Sequence, residues 1–500
     1  MKHAFLKIKN GERVHRESIP HLPFDVFCDQ LISFVFHKGH IVQFFAYMDP
    51  HCKWLVVLRN SELYVAGCDV PEKYLSFTLQ YEKFHMFERE MAEQYAIKPM
   101  GHPWLKSVRY HHNYPGKPDC FGNDYFDDIP GCYPFYSIQG EDIHEVGVGP
   151  VHAGIIEPGH FRFNCIGEKV LHLEIQLGYQ HRGVEQLMVK APLKRLPIII
   201  EGIAGDTAIA NSICFSQAVE ALSSISIDQD AQIARTIVLE LERLSNHIGD
   251  LGALSHDVAF LMPAAYYGRI RGDFLNMLLL LSGNRFGKGW VRPGGVNDSI
   301  TDDQRQQLIK SINLLRPQIE HVGDLLFNNS GVLARFESTG CVSAETSEKI
   351  GLVGVAGRAS GSPYDVRHAF PSGFYTNLNN EPKIETTGDV LARAKVRYRE
   401  IKRSLHIIET LLQHPNHSDM RRKAIPFHPS AFVVTLNEAW RGELSHCIIT
   451  DKNGNILRYK VKDPSFHNWT GLALALRGQE ISDFPLCNKS FNLSYCGFDL

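Results

Sequence analysis

Three stretches of this chain gather imidazoles and guanidinium groups on glycine-rich backbone, where core packing would not place them. Gly149–Arg162 reads GPVHAGIIEPGHFR and holds His152, Glu157, His160 and Arg162 among turn formers. Leu177–Glu185 reads LGYQHRGVE and sets His181 and Arg182 just after a strand-like run. Arg285–Asp298 reads RFGKGWVRPGGVND. An imidazole can carry a proton near neutral pH, and a guanidinium supplies a permanent charge. Taken singly, each stretch is also what a Gly-Pro turn with solvated charges looks like. With 25 histidines in the chain, one imidazole alone says little. His111-His112 reads as incidental, and Gly388-Asp389 reads as a helix cap rather than a site.

Other chemistries are excluded by pattern. There is no G-x-x-x-x-G-K-[ST] loop and no strand-linked G-x-G-x-x-G. Neither a G-x-S-x-G elbow nor an H-E-x-x-H pair occurs. The 11 cysteines include no C-x-x-C, so a metal site of paired thiolates is not on offer. An odd cysteine count in a long chain without an export signal argues against a disulfide framework. A formal net charge of −3 carries no footprint of nucleic-acid binding. The most apolar runs, Leu196–Ile200 and Met277–Leu281, fall far short of the roughly 20 residues of a spanning helix. Met1–Arg13 lacks the apolar stretch of a signal peptide, so the expectation is a soluble, cytoplasmic chain.

Length calls for more than one domain: 500 residues exceed one ordinary core. The first hundred residues read as mixed α/β, with strands at Lys53–Arg59 and Leu63–Ala66 and a helix over Phe84–Ala96. Tyr114–Pro134, crowded with Pro, Gly and Asp, reads as a linker exposed to proteases. Beyond it, Phe161–Cys165 and Val170–Leu177 predict a hairpin. Apolar steps of three and four predict helices over Asp228–Leu254, over Thr301–Phe327 (kinked or split at Pro317) and over Asp389–Leu412, the last with Arg and Lys on its polar face. Strands return at Phe432–Leu436, His446–Thr450 and Ile456–Val461.

The order of the polar stretches resembles one superfamily, that of membrane-bound NiFe-hydrogenase large subunits and the 49-kDa subunit of respiratory complex I. The matching runs are Gly149–Phe163, Leu177–Leu187, Glu240–Gly252 (ELERLSNHIGDLG), Trp290–Val296 (WVRPGGV), Arg358–Arg367 (RASGSPYDVR), Gly388–Ser404, Glu438–Leu444 (EAWRGEL) and Lys462–Phe466 (KDPSF). They are collinear across Val148–Leu500. Phe87–Lys106 resembles the 30-kDa partner subunit, fused as in formate-hydrogenlyase large subunits. The resemblance implies an α+β fold with a 30-kDa-like domain over 1–113, a linker over 114–134 and a large domain over 135–500. The large domain would be mainly a helical bundle flanked by small antiparallel sheets.

Active NiFe members hold their metals with four thiolates from two C-x-x-C motifs. Here those positions carry Ala204, Thr207, Ser494 and Gly497, with Cys496 beside a ligand position rather than on it. The chain stops at Phe498-Asp499-Leu500, where hydrogenases of this family commonly continue into a removable extension. The resemblance therefore implies a chain that binds no metal or cofactor of its own and is not an active NiFe hydrogenase. It places His152, and more loosely His160, at a quinone-type pocket. Gly205 stands at the family's quinone-contacting tyrosine, which puts quinone reduction in question. His181 and Arg182 would face a 4Fe-4S cluster held by a 20-kDa-like small subunit. Further implied partners are a ferredoxin-like subunit and antiporter-like membrane subunits, on the cytoplasmic face of the inner membrane. Three roles follow. The first is a hydrogenase-related coupling subunit that links electron transfer to ion movement. The second is a quinone- or NAD(P)H-linked oxidoreductase subunit, and the third a structural scaffold.

Overall fold

The computed structural model describes residues 4–118, 120–121, 133–154, 156–414 and 426–500. Much of the expected linker Tyr114–Pro134 lies outside them. The architecture is α+β: long helices packed on small antiparallel sheets.

Helix Gln229–Asp257 runs through the centre because its apolar residues recur every third or fourth position, and Ile237, Leu241, Leu244, Ile248 and Leu251 are all buried. Helix Leu261–Ser282 folds back along it, and helix Val390–Leu412 packs on its other side. Two starts follow the expected capping chemistry. Thr301 and Gln304 form a reciprocal capping box, and the Asp389 carboxylate accepts the Ala392 N–H at 2.8 Å. Helix Asp302–Phe327 runs unbroken through Pro317, so of the expected kink or split the split does not occur. Pro317 and Asn313, the carbonyl it frees, both lie on the exposed face, where water can replace the lost bond. The polar face expected of Val390–Leu412 also differs, since Arg397 and Glu400 are buried against ionic partners and Arg393 is buried against the Gly340 and Gly388 carbonyls and the Ser490 hydroxyl.

The predicted hairpin is present: His160–Ile166 pairs antiparallel with Lys169–Gln176, and Ile143–Val148 adds a third strand. A second sheet orders Leu6–Ile8, Leu63–Asp69, Cys52–Arg59 and His40–Met48. A third orders Ile456–Lys462, Gly442–Thr450, Ala431–Ala439 and Arg13–His15. The last pairing joins the start of the chain to its end, with Val14 opposite Phe432. The second and third sheets share a core in which Val42, Phe45, Val57 and Val65 meet Phe432, Val434, Leu436 and Ile449. Another apolar core runs without a break from Phe5 to Leu500. The first hundred residues are thus packed into the body of the molecule.

Among the described residues no single helix is long and apolar enough to cross a membrane. Leu193–Glu201 and Gly205–Leu222 pass only as a pair bent by 109°, and the second is buried almost throughout in the core.

Candidate functional site

Two chain segments far apart in sequence converge beneath the hairpin. One is the turn Ile203–Thr207, which opens helix Ala208–Leu222; the other is Ser494–Leu500, a single helical turn. These carry the four positions that the resemblance assigns to metal thiolates.

A guanidinium braces them. Arg441 lies in the turn between strands Ala431–Ala439 and Gly442–Thr450. Its Nη1 and Nη2 donate to the two Asp206 carboxylate oxygens, both at 2.8 Å, and its Nε donates to the Asn492 carbonyl at 2.6 Å. One planar fork thus ties the first segment to Asn492, just ahead of the second. The guanidinium stacks 3.8 Å from the centre of the Trp440 ring, whose Nε1 donates to the Asp206 carbonyl at 3.0 Å. Burial works against a charge on Asp206, but Arg441 outweighs it and holds the carboxyl below its ordinary value. The turn that presents Arg441 seats against Gly354, where a Cβ would stand 1.9 Å from the Arg441 carbonyl oxygen, so only glycine fits.

The ligand positions do not offer a thiolate set. Ala204 supplies a buried methyl. The Thr207 hydroxyl accepts from Trp440 Nε1 and Arg441 Nη1, each at 3.2 Å. Ser494 Oγ accepts the Gly497 N–H at 2.9 Å as a helix cap. At Gly497 a Cβ would fall 2.6 Å from Asp463 Oδ2 and 2.8 Å from Ser494 Oγ. Asp463 is itself buried, with Oδ2 unpartnered among the described residues, and burial pushes its carboxyl above the usual range. Burial and neighbouring Glu157 push the Cys496 thiol up to about 12, so the sulfur stays protonated. Soft-metal chemistry needs thiolates, and this set does not fit a NiFe pair.

The loop 149–160 closes one side. His152 Nε2 meets the Gly159 carbonyl at 2.8 Å, and His160 Nδ1 meets that of Gly149 at 3.2 Å. Each imidazole therefore spends one nitrogen fixing the loop. Burial lowers the His160 pKa. Glu157 reaches across and accepts the Cys496 N–H at 3.3 Å. Gly205 has nothing within 4 Å of where a Cβ would be, leaving room at the tyrosine position. Beside it, burial raises the Glu242 carboxyl to about 8 although it accepts N–H bonds from Ile209 and Ala210, so near neutral pH it holds a proton.

His181 and Arg182 sit together on the turn after strand Lys169–Gln176, as expected, and within the chain they contact both converging segments. Arg182 donates to the carbonyls of Gly202 at 2.5 Å and Ile203 at 2.8 Å and, more weakly, to that of Cys496 at 3.4 Å. The adjacent carboxylate Glu185 is engaged elsewhere, by Lys460 and Arg458, each at 2.8 Å. His181 Nδ1 meets the Asp499 carbonyl at 2.8 Å, and its ring stacks 5.0 Å from His111. His111 is therefore part of this turn, not incidental. The sequence reading missed Arg441, Asp206, Trp440 and Asp463. Their only signal was position, Trp440 and Arg441 in the EAWRGEL run, Asp463 in KDPSF and Asp206 between Ala204 and Thr207, and this carries no information about what each side chain meets.

The turn has an internal test. Burial lowers His181 to about 4 from 6.5, so its contribution to docking is complete above pH 6.5 and lost as pH falls through about 4. Burial raises Asp499 to about 7 from 3.8, so its contribution is complete below 3.8 and lost as pH rises through about 7. Between those limits the two slopes oppose and nearly cancel. Asp499→Asn should unmask the His181 limb, so that hydrogen-exchange protection of the Arg182 amide rises with pH up to about 6.5. A flat profile in that variant would show that His181 is not held neutral.

The family described as "Respiratory-chain NADH dehydrogenase, 49 Kd subunit" matches residues 257–431 and 417–499. Hydrogenase-4 component G of Escherichia coli is 27% identical over 417 residues, 82% of this chain and 72% of that protein. Formate hydrogenlyase subunit 5 of the same organism is 28% identical over 418 residues, 82% of this chain and 74% of its own length. NADH-quinone oxidoreductase subunit 4 of Thermus thermophilus is 27% identical over 369 residues, 68% and 90% of the two chains. Over its C-terminal half the chain thus resembles the 49-kDa subunit of respiratory NADH dehydrogenase, and over most of its length it is similar to subunits named for hydrogenase-4, formate hydrogenlyase and NADH-quinone oxidoreductase.

Proposed function

We propose that this chain is the large subunit of a hydrogenase-related, complex-I-like redox complex on the cytoplasmic face of a membrane, without a NiFe centre of its own. The observation that carries the reading is the Asp206–Arg441 ion pair, which bridges the two segments expected to hold metal and occupies their polar groups. Relatives named as hydrogenase and NADH-quinone oxidoreductase subunits support the class of assembly. In this role the first hundred residues correspond to the 30-kDa subunit. The His181–Arg182 turn rests on a small subunit carrying a 4Fe-4S cluster. A ferredoxin-like subunit and antiporter-like membrane subunits complete the complex. Quinone chemistry is the weaker reading, since Gly205 offers no hydroxyl and His152 and His160 brace their own loop.

Arg182 decides between a redox role and a scaffold. A fixed cation near a cluster favours the electron-rich state. In the assembled complex, Arg182→Met should lower the cluster potential by tens of millivolts, where ~30 mV is about 0.7 kcal/mol for one electron. The same variant also frees the Gly202 and Ile203 carbonyls, so some thermal stability is lost in either case. Redox titration showing an unchanged potential alongside that loss would leave only the scaffold.

A further inference from the structure

A cavity of about 300 Å³ lies between the first hundred residues and the body of the molecule. That is the low end of the roughly 300–1,000 Å³ of small-molecule sites. Its walls are rich in aromatic side chains: Trp104, Phe466, Trp469 and Phe498 all line it. These come from the loop after helix His85–Tyr95, from helix Ser465–Ala475 and from the C-terminal turn Tyr495–Asp499.

The polar groups on its rim divide sharply into satisfied and unsatisfied. The Glu174 carboxylate takes Lys106 at 2.7 Å and the Tyr136 N–H at 2.8 Å. Arg89 donates to the carbonyls of Lys106 and Ser107, both at 2.8 Å. His172 Nε2, by contrast, is buried with no hydrogen-bond partner among the described residues. Its ring is held in place, 5.8 Å from Trp104 and 5.4 Å from Tyr136. Arg477 stands exposed at the mouth, at the end of helix Ser465–Ala475. A buried orphan nitrogen costs free energy until something pairs with it. An aromatic slot with a cation at its mouth is complementary to a molecule that is apolar at one end and anionic at the other.

We propose that this cavity binds a small aromatic monocarboxylate, its ring between Trp104 and Trp469 and its carboxylate on Arg477 and His172 Nε2. Because Phe498 belongs to the turn that carries Gly497, an occupant would also stiffen the C-terminal segment of the candidate site. The proposal does not depend on the redox reading.

The test uses the purified full chain and two probes of similar shape, 2-naphthoate and 2-naphthalenemethanol, titrated by calorimetry. Naphthoate should bind more tightly than the alcohol. Arg477→Gln changes an exposed side chain and leaves the fold intact. It should weaken naphthoate about tenfold, the scale of one lost charge-assisted hydrogen bond, and leave the alcohol unchanged. Ala473→Trp, which fills the cavity from its helical wall, should abolish binding of both. Absence of naphthoate binding to the unaltered chain, or binding that survives Ala473→Trp, would overturn the proposal. Equal affinity for the two probes would overturn the anionic assignment.

Discussion

Arg358→Met should cost the folded chain about 3–5 kcal/mol, because it removes the guanidinium that two buried carboxylates share. Arg358 Nη1 donates to Glu438 Oε1 and Nη2 to Glu400 Oε1, each at 2.6 Å, and all three side chains are fully buried. They belong to a larger cluster. Glu400 also meets His247 at 3.1 Å and Arg367 at 3.5 Å, and Arg367 pairs with Asp365 at 2.6 Å. Arg243 joins Glu240 at 3.2 Å and donates to the Glu438 carbonyl at 2.6 Å. Four acids, Glu240, Asp365, Glu400 and Glu438, face four arginines, Arg243, Arg358, Arg367 and Arg403, so the cluster is close to neutral. Burial opposes charge on each acid. The arginines nonetheless hold Glu240 at about 2 and Glu400 and Asp365 below their ordinary range, whereas Glu438 is raised.

That last difference sets the pH dependence of the variant. Without Arg358, Glu438 rises further above its unfolded value, so stability is lost as pH rises through its folded pKa. The penalty should therefore be larger at pH 8 than at pH 5, as urea unfolding at the two values will show. A loss below about 1 kcal/mol, equal at both, would mean that the cluster is solvated and not a structural knot. The cluster matters to the site because Glu438 lies three residues before Arg441 on the same hairpin. Anchoring Glu438 by side chain and carbonyl fixes the turn that aims the guanidinium at Asp206.

How much of this was legible in the sequence follows from the range of each interaction. Apolar periodicity found the helices Gln229–Asp257 and Val390–Leu412 within a few residues, and alternation with a Gly-Glu-Lys turn found the hairpin His160–Ile166/Lys169–Gln176. Both are local signals. The four degenerate ligand positions were read from motif order, and the structure places them on two converging segments. The contacts that fill those segments were not legible. Asp206 and Arg441 lie 235 residues apart, and no local pattern marks them as partners. Nor does composition separate a buried arginine from a solvated one: Arg393 and Arg397 sit in a run that reads as a polar helix face, yet are 1% exposed. The pairing of Arg13–His15 with Ala431–Val433 was hidden for the same reason.

Replacing Ala204, Thr207, Ser494 and Gly497 together with cysteine should not create a nickel site. Four thiols would be present at the family's spacing, but the space between them is already committed. A Cβ at 497 meets Asp463 Oδ2 at 2.6 Å, and Asp463 cannot easily withdraw, since its other oxygen accepts the Ser465 N–H at 2.8 Å. Overpacking of this kind costs about 1–3 kcal/mol before any bond is lost. Removing the Ser494 hydroxyl uncaps the final turn, for a further ~1 kcal/mol, and removing Thr207 Oγ1 takes an acceptor from both Trp440 and Arg441. The Arg441 guanidinium would remain beside the new thiols. Its charge favours thiolates, but its fork still ties Asp206 to Asn492 across the gap a metal pair would need. The expected result is a markedly less stable chain with no stoichiometric nickel by elemental analysis, even when expressed with nickel and maturation factors. One nickel per chain in the fourfold variant would show that the Asp206–Arg441 pair yields its place to metal, and would return this subunit to the hydrogenases proper.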